Sequence, residues 1–353
     1  MKTKGLYIHI PFCDAICVYC DFVKMVRSPQ TKHDYMVHLM THVQAFDFTN
    51  VDTVYIGGGT PSSVDIEDLV ALLQLLPSVK EITLEANPEH ITQAFLDEIT
   101  TTNVTRVSLG VQSFNDQLLT ALNRTHSAAQ AKRAIKLIQA TPLRLSIDLI
   151  YNLPNQTMDD VLYDASCLSD IEHVSWYSLI LEPNTMHYTR FLRGEYQPST
   201  NDDVMMEQIM STMQQLGYRQ YEISNFTKGD ISHHNMHYWH GDEVAAIGLG
   251  ATGTTATTRY RVTRDLSTFL SSETQPVTTE ERELETEVLM VGLRVLDGID
   301  KAEYVSRFGH TLHSVYPNIP AIIAQGLLEE TPTHLRPTEK GVMLNNEILI
   351  QLL

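Results

Sequence analysis

Cysteine is scarce in this sequence: only four occur in 353 residues, and three of them are Cys13, Cys17 and Cys20. No apolar run approaches the roughly 20 residues that a membrane-spanning helix requires. The first residues lack a long apolar segment and a small-residue cleavage site, so we predict no signal peptide. These absences predict a cytoplasmic protein, in which closely spaced cysteines usually bind metal or take part in redox chemistry.

Positive charge is also in short supply. The 25 Lys and Arg residues face 43 Asp and Glu residues, which gives a formal net charge of −18. Such a surface repels phosphate backbones and argues against nucleic acid as the main partner. It also argues against direct polybasic attachment to anionic lipid. We interpret the acidity as an aid to solubility, and attachment to the periphery of a membrane through partners stays open.

In the first half of the chain, short β-rich runs alternate with helical patterns. This alternation predicts an α/β fold with parallel strands and helical crossovers, specifically a partial (β/α)6 barrel. Functional side chains are then expected where the strands end. Ser63 or Asp65, and Ser127, are candidate helix caps. The predicted strands are 5–10, 52–56, 81–86, 105–110, 143–150 and 173–181, and the predicted helices are 66–76, 127–139, 157–169 and 203–216.

After about residue 220 the pattern changes. Histidines, aromatics, glycines and threonines cluster in residues 232–260, and residues 280–296 have the pattern of an acidic amphipathic helix. Short helical segments and a turn-bounded hairpin follow. We therefore predict two domains, a barrel core over residues 1–232 and a small α+β, winged-helix-like domain over residues 233–353.

The three clustered cysteines have the spacing C-x3-C-x2-C. A [4Fe–4S] cluster normally takes four thiolates, so three would leave one iron open to a small chelating ligand. Zinc is the competing interpretation, but structural zinc sites usually draw pairs of ligands from two separate segments. Buried thiols that act as small apolar side chains are the third alternative. The regular spacing favours the cluster.

This spacing, with Tyr19 just before the third cysteine, resembles that of the radical S-adenosylmethionine superfamily. The resemblance implies that the open iron chelates the amino and carboxylate groups of S-adenosylmethionine, and that the reduced cluster cleaves it to a 5′-deoxyadenosyl radical. Six further segments resemble the group that contains oxygen-independent coproporphyrinogen III oxidase and the HemW haem chaperones. They are YIHIPFC (7–13), GGGTPS (57–62), EANP (85–88), SLGVQSFN (108–115), LNRTHS (122–127) and IDLIYNLPNQT (147–157).

The matching positions imply a set of residues that bind S-adenosylmethionine. Glycines after a strand let the backbone approach a ligand closely, and an arginine can pair with a carboxylate. For His9, a structural hydrogen bond and a role in the site are equally open. The expected ligands of S-adenosylmethionine are Tyr7, Tyr19, Gly58, Gly59, Thr60, Glu85, Gln112, Arg124 and Asp148.

Two features favour the HemW branch. Phe22 stands where the coproporphyrinogen oxidases carry another cysteine. Because the first strand is predicted to start at about residue 5, we also expect the added N-terminal segment of those enzymes to be absent. The segment HNMHYW (234–239), preceded by YEISNF (221–226), resembles a HemW signature. It implies haem binding, with His234 as the axial ligand, since imidazole commonly ligates haem iron. The expected haem-binding residues are His234, Asn235, Tyr238 and Trp239.

Three positions depart from the family pattern. Asn152 and Asn155 stand where glycine is usual, but asparagine is among the residues that best tolerate a positive φ, so we expect the loop shape to survive. Thr252 stands where a histidine is common.

Three functions stay open at this point. The first is a carrier that holds [4Fe–4S] and S-adenosylmethionine and hands haem to haem-dependent membrane or respiratory proteins. The second is radical oxidative decarboxylation of the propionates of coproporphyrinogen III. The third is radical chemistry on haem itself. The oligomeric state is not determined, and a homodimer is one alternative.

Overall fold

A nine-stranded sheet with strand order β7-β8-β6-β5-β4-β3-β2-β1-β9 forms the centre of the protein. The computed structural model describes residues 2–195 and 202–353. The strands are β1 Gly5–Ile10, β2 Thr53–Gly58, β3 Glu81–Ala86, β4 Arg106–Gln112, β5 Arg144–Tyr151, β6 His173–Ser178, β7 Arg219–Glu222, β8 Asn225–Thr227, β9 Val244–Ile247, β10 Thr252–Thr254, β11 Thr258–Val262, β12 Val277–Glu281, β13 Ile299–Asp300, β14 Leu328–Glu330 and β15 His334–Pro337.

Helices connect the strands and build the C-terminal part of the chain. They are α1 Pro29–Gln44, α2 Ile66–Gln74, α3 Gln93–Ile99, α4 Asp116–Ala121, α5 Ala128–Gln139, α6 Met158–Ser166, α7 Met186–Leu192, α8 Asp202–Gln215, α9 His233–Trp239, α10 Leu266–Ser271, α11 Leu284–Gly292, α12 Lys301–Phe308, α13 Leu312–Val315, α14 Ile319–Ala324, α15 Glu339–Met343 and α16 Asn345–Leu352.

The predicted partial barrel is confirmed. Strands β1 to β6 lie side by side in chain order and pair in parallel. The sheet does not close, because β9 lies beyond β1 in parallel, whereas β8 and β7 extend the other edge in antiparallel fashion. All six predicted strands and all four predicted helices are present with small shifts at their ends.

Local sequence sets the helix starts. The Asp65 side chain accepts a hydrogen bond from the backbone N–H of Glu67 and caps α2, as expected. Ser127 caps α5 together with Gln130, in a reciprocal capping box. Each such cap satisfies backbone donors that the first helical turn cannot pair internally. Ser63, the other candidate, instead ends a short 3₁₀ turn.

The prediction for residues 280–296 is wrong at its start. Residues Val277–Glu281 form strand β12, which pairs with β11, and the helix α11 begins only at Leu284. The charged side chains of β12 are exposed. Their composition is therefore the same as that of an exposed helix face. The pairing with β11 makes this segment a strand, and a local sequence pattern does not show such pairing.

The described residues pack around two main apolar cores. The larger one contains residues between Leu6 and Phe269, and the second contains residues between Val288 and Leu352. In the second region, β13, β15 and β14 form a three-stranded sheet beside short helices. The expected division after residue 232 stays a prediction, and β9, which lies beyond it, is part of the main sheet.

No helix among residues 2–195 and 202–353 is long and apolar enough to cross a bilayer.

The loop after β5 has the backbone shape that was expected of it. Asn152 and Asn155 adopt φ values of 63° and 60°, in the left-handed region that favours glycine and tolerates asparagine.

We predict that Asn155→Ala lowers the free energy of unfolding by about 1 kcal/mol, because alanine is strained at this φ. Asn155→Gly is the matched control and should change stability little. Urea unfolding followed by circular dichroism measures both variants. Equal losses in the two variants would show that the asparagine side chain matters, and not the backbone.

Candidate cofactor site

The three clustered cysteines lie in a loop that leaves the carboxyl end of β1. The loop closes on itself, because the N–H of Cys13 donates to the carbonyl of Met25 over 3.1 Å. Cys13 is buried, whereas Cys17 and Cys20 are half-buried, and all three thiols are free. Burial raises the pKa of the Cys13 thiol and raises that of Cys20 to about 11. Metal binding to these thiols therefore releases protons.

The glycines that end β2 bring a second loop against the cysteine loop. Gly58 has φ +117°, and a Cβ there would lie 2.5 Å from the His9 ring. A Cβ on Gly59 would lie 2.7 Å from the carbonyl oxygen of Phe12. Neither position accepts a side chain, so the glycines are required for the close approach. The next residue, Thr60, is thereby placed with its hydroxyl 3.6 Å from the Cys13 sulfur.

Two expected carboxylates lie in the interior of the barrel. Glu85 accepts hydrogen bonds from the hydroxyl of Tyr55 over 2.8 Å and from the N–H of Gly58 over 3.1 Å. Asp148 accepts from the Ser108 hydroxyl at 3.2 Å. Burial raises the pKa of both carboxyls, and for Asp148 burial and the nearby Glu85 raise it to about 7. The two carboxyls therefore line a poorly solvated part of the barrel interior, where their oxygens can accept hydrogen bonds from donor groups of a ligand.

Gln112 ends β4 at an irregularity in the pairing with β5. Its φ of +67° is rare for a residue other than glycine. Such a bulge re-aims a side chain. The Tyr177 hydroxyl at the end of β6 donates to Gln112 Oε1 over 3.4 Å. The unusual backbone thus turns Gln112 toward the same strand ends as the other expected residues.

Tyr7 and His9 lie on β1, which leads into the cysteine loop, and Tyr19 lies within that loop. The Tyr7 hydroxyl contacts His9 Nδ1 at 2.9 Å, and the other ring nitrogen contacts the Val23 carbonyl at 2.8 Å. Burial lowers the pKa of His9 to about 4, so the ring is neutral. His9 thus makes structural hydrogen bonds, and its alternative role in the site stays a prediction. Tyr19 packs on a small apolar cluster that includes Leu122 and Leu153.

Arg124 follows α4 and is directed at the cysteine loop. Its Nη1 donates to Cys17 Sγ over 3.4 Å, and its Nη2 donates to Asn87 Oδ1 over 2.7 Å and to the Gly110 carbonyl over 2.8 Å. The arginine is therefore held beside the thiols by the ends of β3 and β4.

The expected haem segment lies at the opposite end of the barrel. Strands β2 to β6 begin with a layer of polar residues, against which the chain around α9 packs. Glu81 accepts from the N–H groups of His233 and His234, and Arg106 donates to the Ser232 hydroxyl at 3.4 Å. A strand of six residues spans roughly 20 Å, which is the order of the separation between the two ends.

His234 is buried, with 1% of its surface exposed. Its Nδ1 contacts the Thr53 hydroxyl at 2.9 Å, and its Nε2 contacts the Tyr238 hydroxyl at 3.3 Å. Burial lowers the pKa of the ring to about 3, which keeps it neutral. In this arrangement neither ring nitrogen is open to a ligand. Neighbouring His237 lies between Asp52 at 2.8 Å and Asp242 at 2.9 Å.

The other residues of the segment have different exposures. Tyr238 is 38% exposed, and Asn235 and Trp239 are partly buried. The indole N–H of Trp239 has no hydrogen-bond partner among the described residues. Thr252, at the position where a histidine is common, is exposed at the start of β10.

Sequence reasoning missed three side chains that complete the site. Tyr55 and Ser108 hydrogen-bond the two buried carboxylates, and Asn87 joins Arg124 to the Thr60 hydroxyl, 3.4 Å away. Asn87 lies within the quoted segment EANP, so the signal was present. Ser108 likewise lies within the quoted segment SLGVQSFN, whereas Tyr55 carried only the alternation of its strand, which does not distinguish a barrel interior from an ordinary core.

No group of three His, Cys, Asp or Glu side chains in the described parts of the chain is arranged to hold a single metal ion. In a cubane cluster each thiolate binds a different iron. The thiols, the two donors directed at their sulfurs and the two glycines that bring the loops together fit such a group. The chemistry that it would supply when bound is one-electron transfer.

Comparisons with known proteins agree with this geometry. Residues 7–167 match the Radical SAM superfamily, and residues 280–344 match the HemN C-terminal domain. The coproporphyrinogen III oxidase (HemN) of Escherichia coli, a radical SAM enzyme, has a similar fold. Its TM-score is 0.82 at 19% identity, over 99% of this chain and 90% of that chain. The fold and the site therefore define a radical SAM protein with a HemN-type C-terminal domain.

Sequence relatives narrow this class. The chain is 34% identical to Heme chaperone HemW of Lactococcus lactis subsp. lactis (strain IL1403), over 100% of this chain and 98% of the relative. It is 32% identical to Heme chaperone HemW of Bacillus subtilis (strain 168), over 98% of both chains. The protein belongs to the HemW family of the radical SAM superfamily.

We predict that Asp148→Asn stabilises the protein more at high pH than at low pH. The folded protein holds this proton up to about pH 7, whereas an unfolded chain loses it near pH 4, so ionisation of the carboxyl lowers stability across that interval. The gain in the free energy of unfolding should be roughly 2–3 kcal/mol larger at pH 8 than at pH 5.

Urea unfolding at both pH values measures this difference. Asp170→Asn, which removes an exposed carboxylate, is the matched control, and the change between the two pH values should be larger for Asp148→Asn. A gain that is the same at pH 5 and pH 8 would contradict the raised pKa of Asp148.

Proposed function

We propose that this protein is a haem chaperone that holds a [4Fe–4S] cluster and S-adenosylmethionine, and that it delivers haem to haem-dependent proteins of the membrane or the respiratory chain. The observation that carries the proposal is the loop of three thiols at the strand ends, with hydrogen-bond donors directed at two of its sulfurs. The full-length similarity to relatives named Heme chaperone HemW supports haem as the cargo.

The cysteine loop would hold the cluster through Cys13, Cys17 and Cys20, and the residues around it would hold S-adenosylmethionine. The turn at Gly58 and Gly59 supports a close approach of backbone to ligand. The remaining expected ligands line the same strand ends or the interior just beneath them. These are Tyr7, Tyr19, Thr60, Glu85, Gln112, Arg124 and Asp148.

The segment His234–Trp239 would bind haem after α9 has separated from the barrel. This movement is part of the proposal because the His234 ring is sealed between Thr53 and Tyr238. Once released, the neutral imidazole would be ready to ligate iron, and Tyr238 and Trp239 would offer ring faces to the porphyrin. Asn235 belongs to the same proposed segment. The chaperone would act in the cytoplasm or at the membrane periphery through its acceptors, as a monomer or homodimer.

The deciding experiment compares two substrates on the same protein. Anaerobically reconstituted protein is incubated with haem, and separately with coproporphyrinogen III, S-adenosylmethionine and dithionite. We expect haem to be retained through gel filtration at a fixed stoichiometry and no porphyrin turnover. Formation of protoporphyrinogen and carbon dioxide would instead show an oxidase. Absence of a [4Fe–4S] signal in electron paramagnetic resonance would refute the cofactor proposal.

His234→Ala is expected to abolish haem retention, while the absorption spectrum of the cluster stays unchanged. The two ends of the barrel are separated by the length of the strands, so loss of the ring should not disturb the thiols. Haem retention at the wild-type level in His234→Ala would show that another residue ligates the iron.

Thr53→Val should increase the apparent haem affinity about five- to tenfold. Removal of the hydroxyl leaves His234 Nδ1 without its partner and destabilises the closed position of α9, which raises the fraction of protein competent to bind. Thr83→Val is the matched control, since the buried Thr83 hydroxyl has no hydrogen-bond partner among the described residues. Unchanged affinity in Thr53→Val, measured by haem titration, would contradict the opening of α9.

A further inference from the structure

Arg124 donates hydrogen bonds to three protein groups, in addition to any that it would donate to a ligand. Its guanidinium carries five N–H donors in a rigid plane. Nη1 donates to Cys17 Sγ, and Nη2 donates to Asn87 and to the Gly110 carbonyl. These contacts hold the plane of the guanidinium beside the Cys17 sulfur. The group is therefore not directed only at the region where S-adenosylmethionine is expected.

Asn87 couples this arginine to a second sulfur. Its side-chain oxygen accepts from Arg124, and its nitrogen donates to the Thr60 hydroxyl over 3.4 Å. That hydroxyl in turn donates to Cys13 Sγ over 3.6 Å. A single asparagine thus orients the hydrogen-bond donors of two of the three cysteine sulfurs.

From this geometry we infer that Arg124 is a positioning residue that tunes the cluster, with Asn87 holding it in place. The inference rests on the proposed [4Fe–4S] cluster. One-electron reduction adds a negative charge that is shared with the sulfurs, and hydrogen bonds to the sulfurs raise the reduction potential. A fixed positive charge in a poorly solvated site acts in the same direction.

The inference differs from the expected role of Arg124 in holding the carboxylate of S-adenosylmethionine, yet the two are compatible. The Arg124 Nε is buried and has no hydrogen-bond partner among the described residues, so its N–H and the second N–H of Nη1 remain for a ligand. A lysine cannot replace this arrangement, because its single ammonium lacks the planar fork that reaches a sulfur, an amide and a carbonyl together.

The test is a redox titration of the reconstituted full-length protein without S-adenosylmethionine, with dithionite as the one-electron donor and electron paramagnetic resonance of the reduced cluster as the signal. For Arg124→Gln we expect the reduction equilibrium constant to fall about tenfold, a midpoint lowered by about 59 mV for one electron. Arg124→Lys should shift the midpoint less, since it keeps the charge. The control, Arg133→Gln, removes an exposed arginine on α5 and should shift nothing.

Asn87→Leu provides an independent arm if Arg124→Gln loses the cluster. It should lower the midpoint in the same direction, because both sulfur donors lose their support. The double variant should then add little to Arg124→Gln, since residues that act through each other are not additive. An unchanged midpoint in Arg124→Gln, or in Asn87→Leu where only that variant keeps its cluster, would overturn the inference.

The wild-type spectrum distinguishes a failure of the proposed function from a failure of the tuning role of Arg124. A missing [4Fe–4S] signal in wild-type protein refutes the proposed function. A normal wild-type signal with variants that lose only S-adenosylmethionine binding, and not potential, refutes the tuning role alone.

Discussion

Parallel pairing of β1 to β6 is the constraint on which the rest of this structure depends. It places the carboxyl ends of all six strands at one end of the barrel and their amino ends at the other end. The cysteine loop, the glycine turn and Arg124 meet at the carboxyl ends, although Cys17 and Arg124 are 107 residues apart in sequence. The segment around α9 covers the amino ends of the strands. One topological rule therefore produces two chemically distinct ends.

Desolvation shifts the pKa values of the groups between these ends. Burial raises the pKa of Glu85 and Asp148 and lowers that of His9 and His234. Charged forms of these groups would lower stability in a poorly solvated interior. Tyr55 contacts both regions, since its hydroxyl donates to Glu85 and its ring centroid lies 5.3 Å from that of His234. The barrel interior is thus a continuous set of polar and aromatic contacts.

The two proposed ligand sites differ in whether their residues are already arranged for binding. The cofactor end is already assembled, because its donors, glycines and carboxylates face one another in the closed structure. The haem segment is folded away, with its histidine satisfied internally. We expect that binding at the first end would require little rearrangement, whereas binding at the second would require α9 to exchange contacts with the barrel for contacts with haem. A carrier that must later release its cargo is suited to such an exchange.

The sequence by itself determined the six strands, the caps at Asp65 and Ser127, and the positive φ at Asn152 and Asn155, because periodicity, capping chemistry and backbone preference are local. It also determined which cysteines are clustered, since they are close in the chain. Only the tertiary structure decided that β12 replaces the start of a helix, that Asn87 joins Arg124 to Thr60, and that His234 is sealed at the amino ends of the strands. These depend on contacts between distant segments, whose free energies no local pattern records.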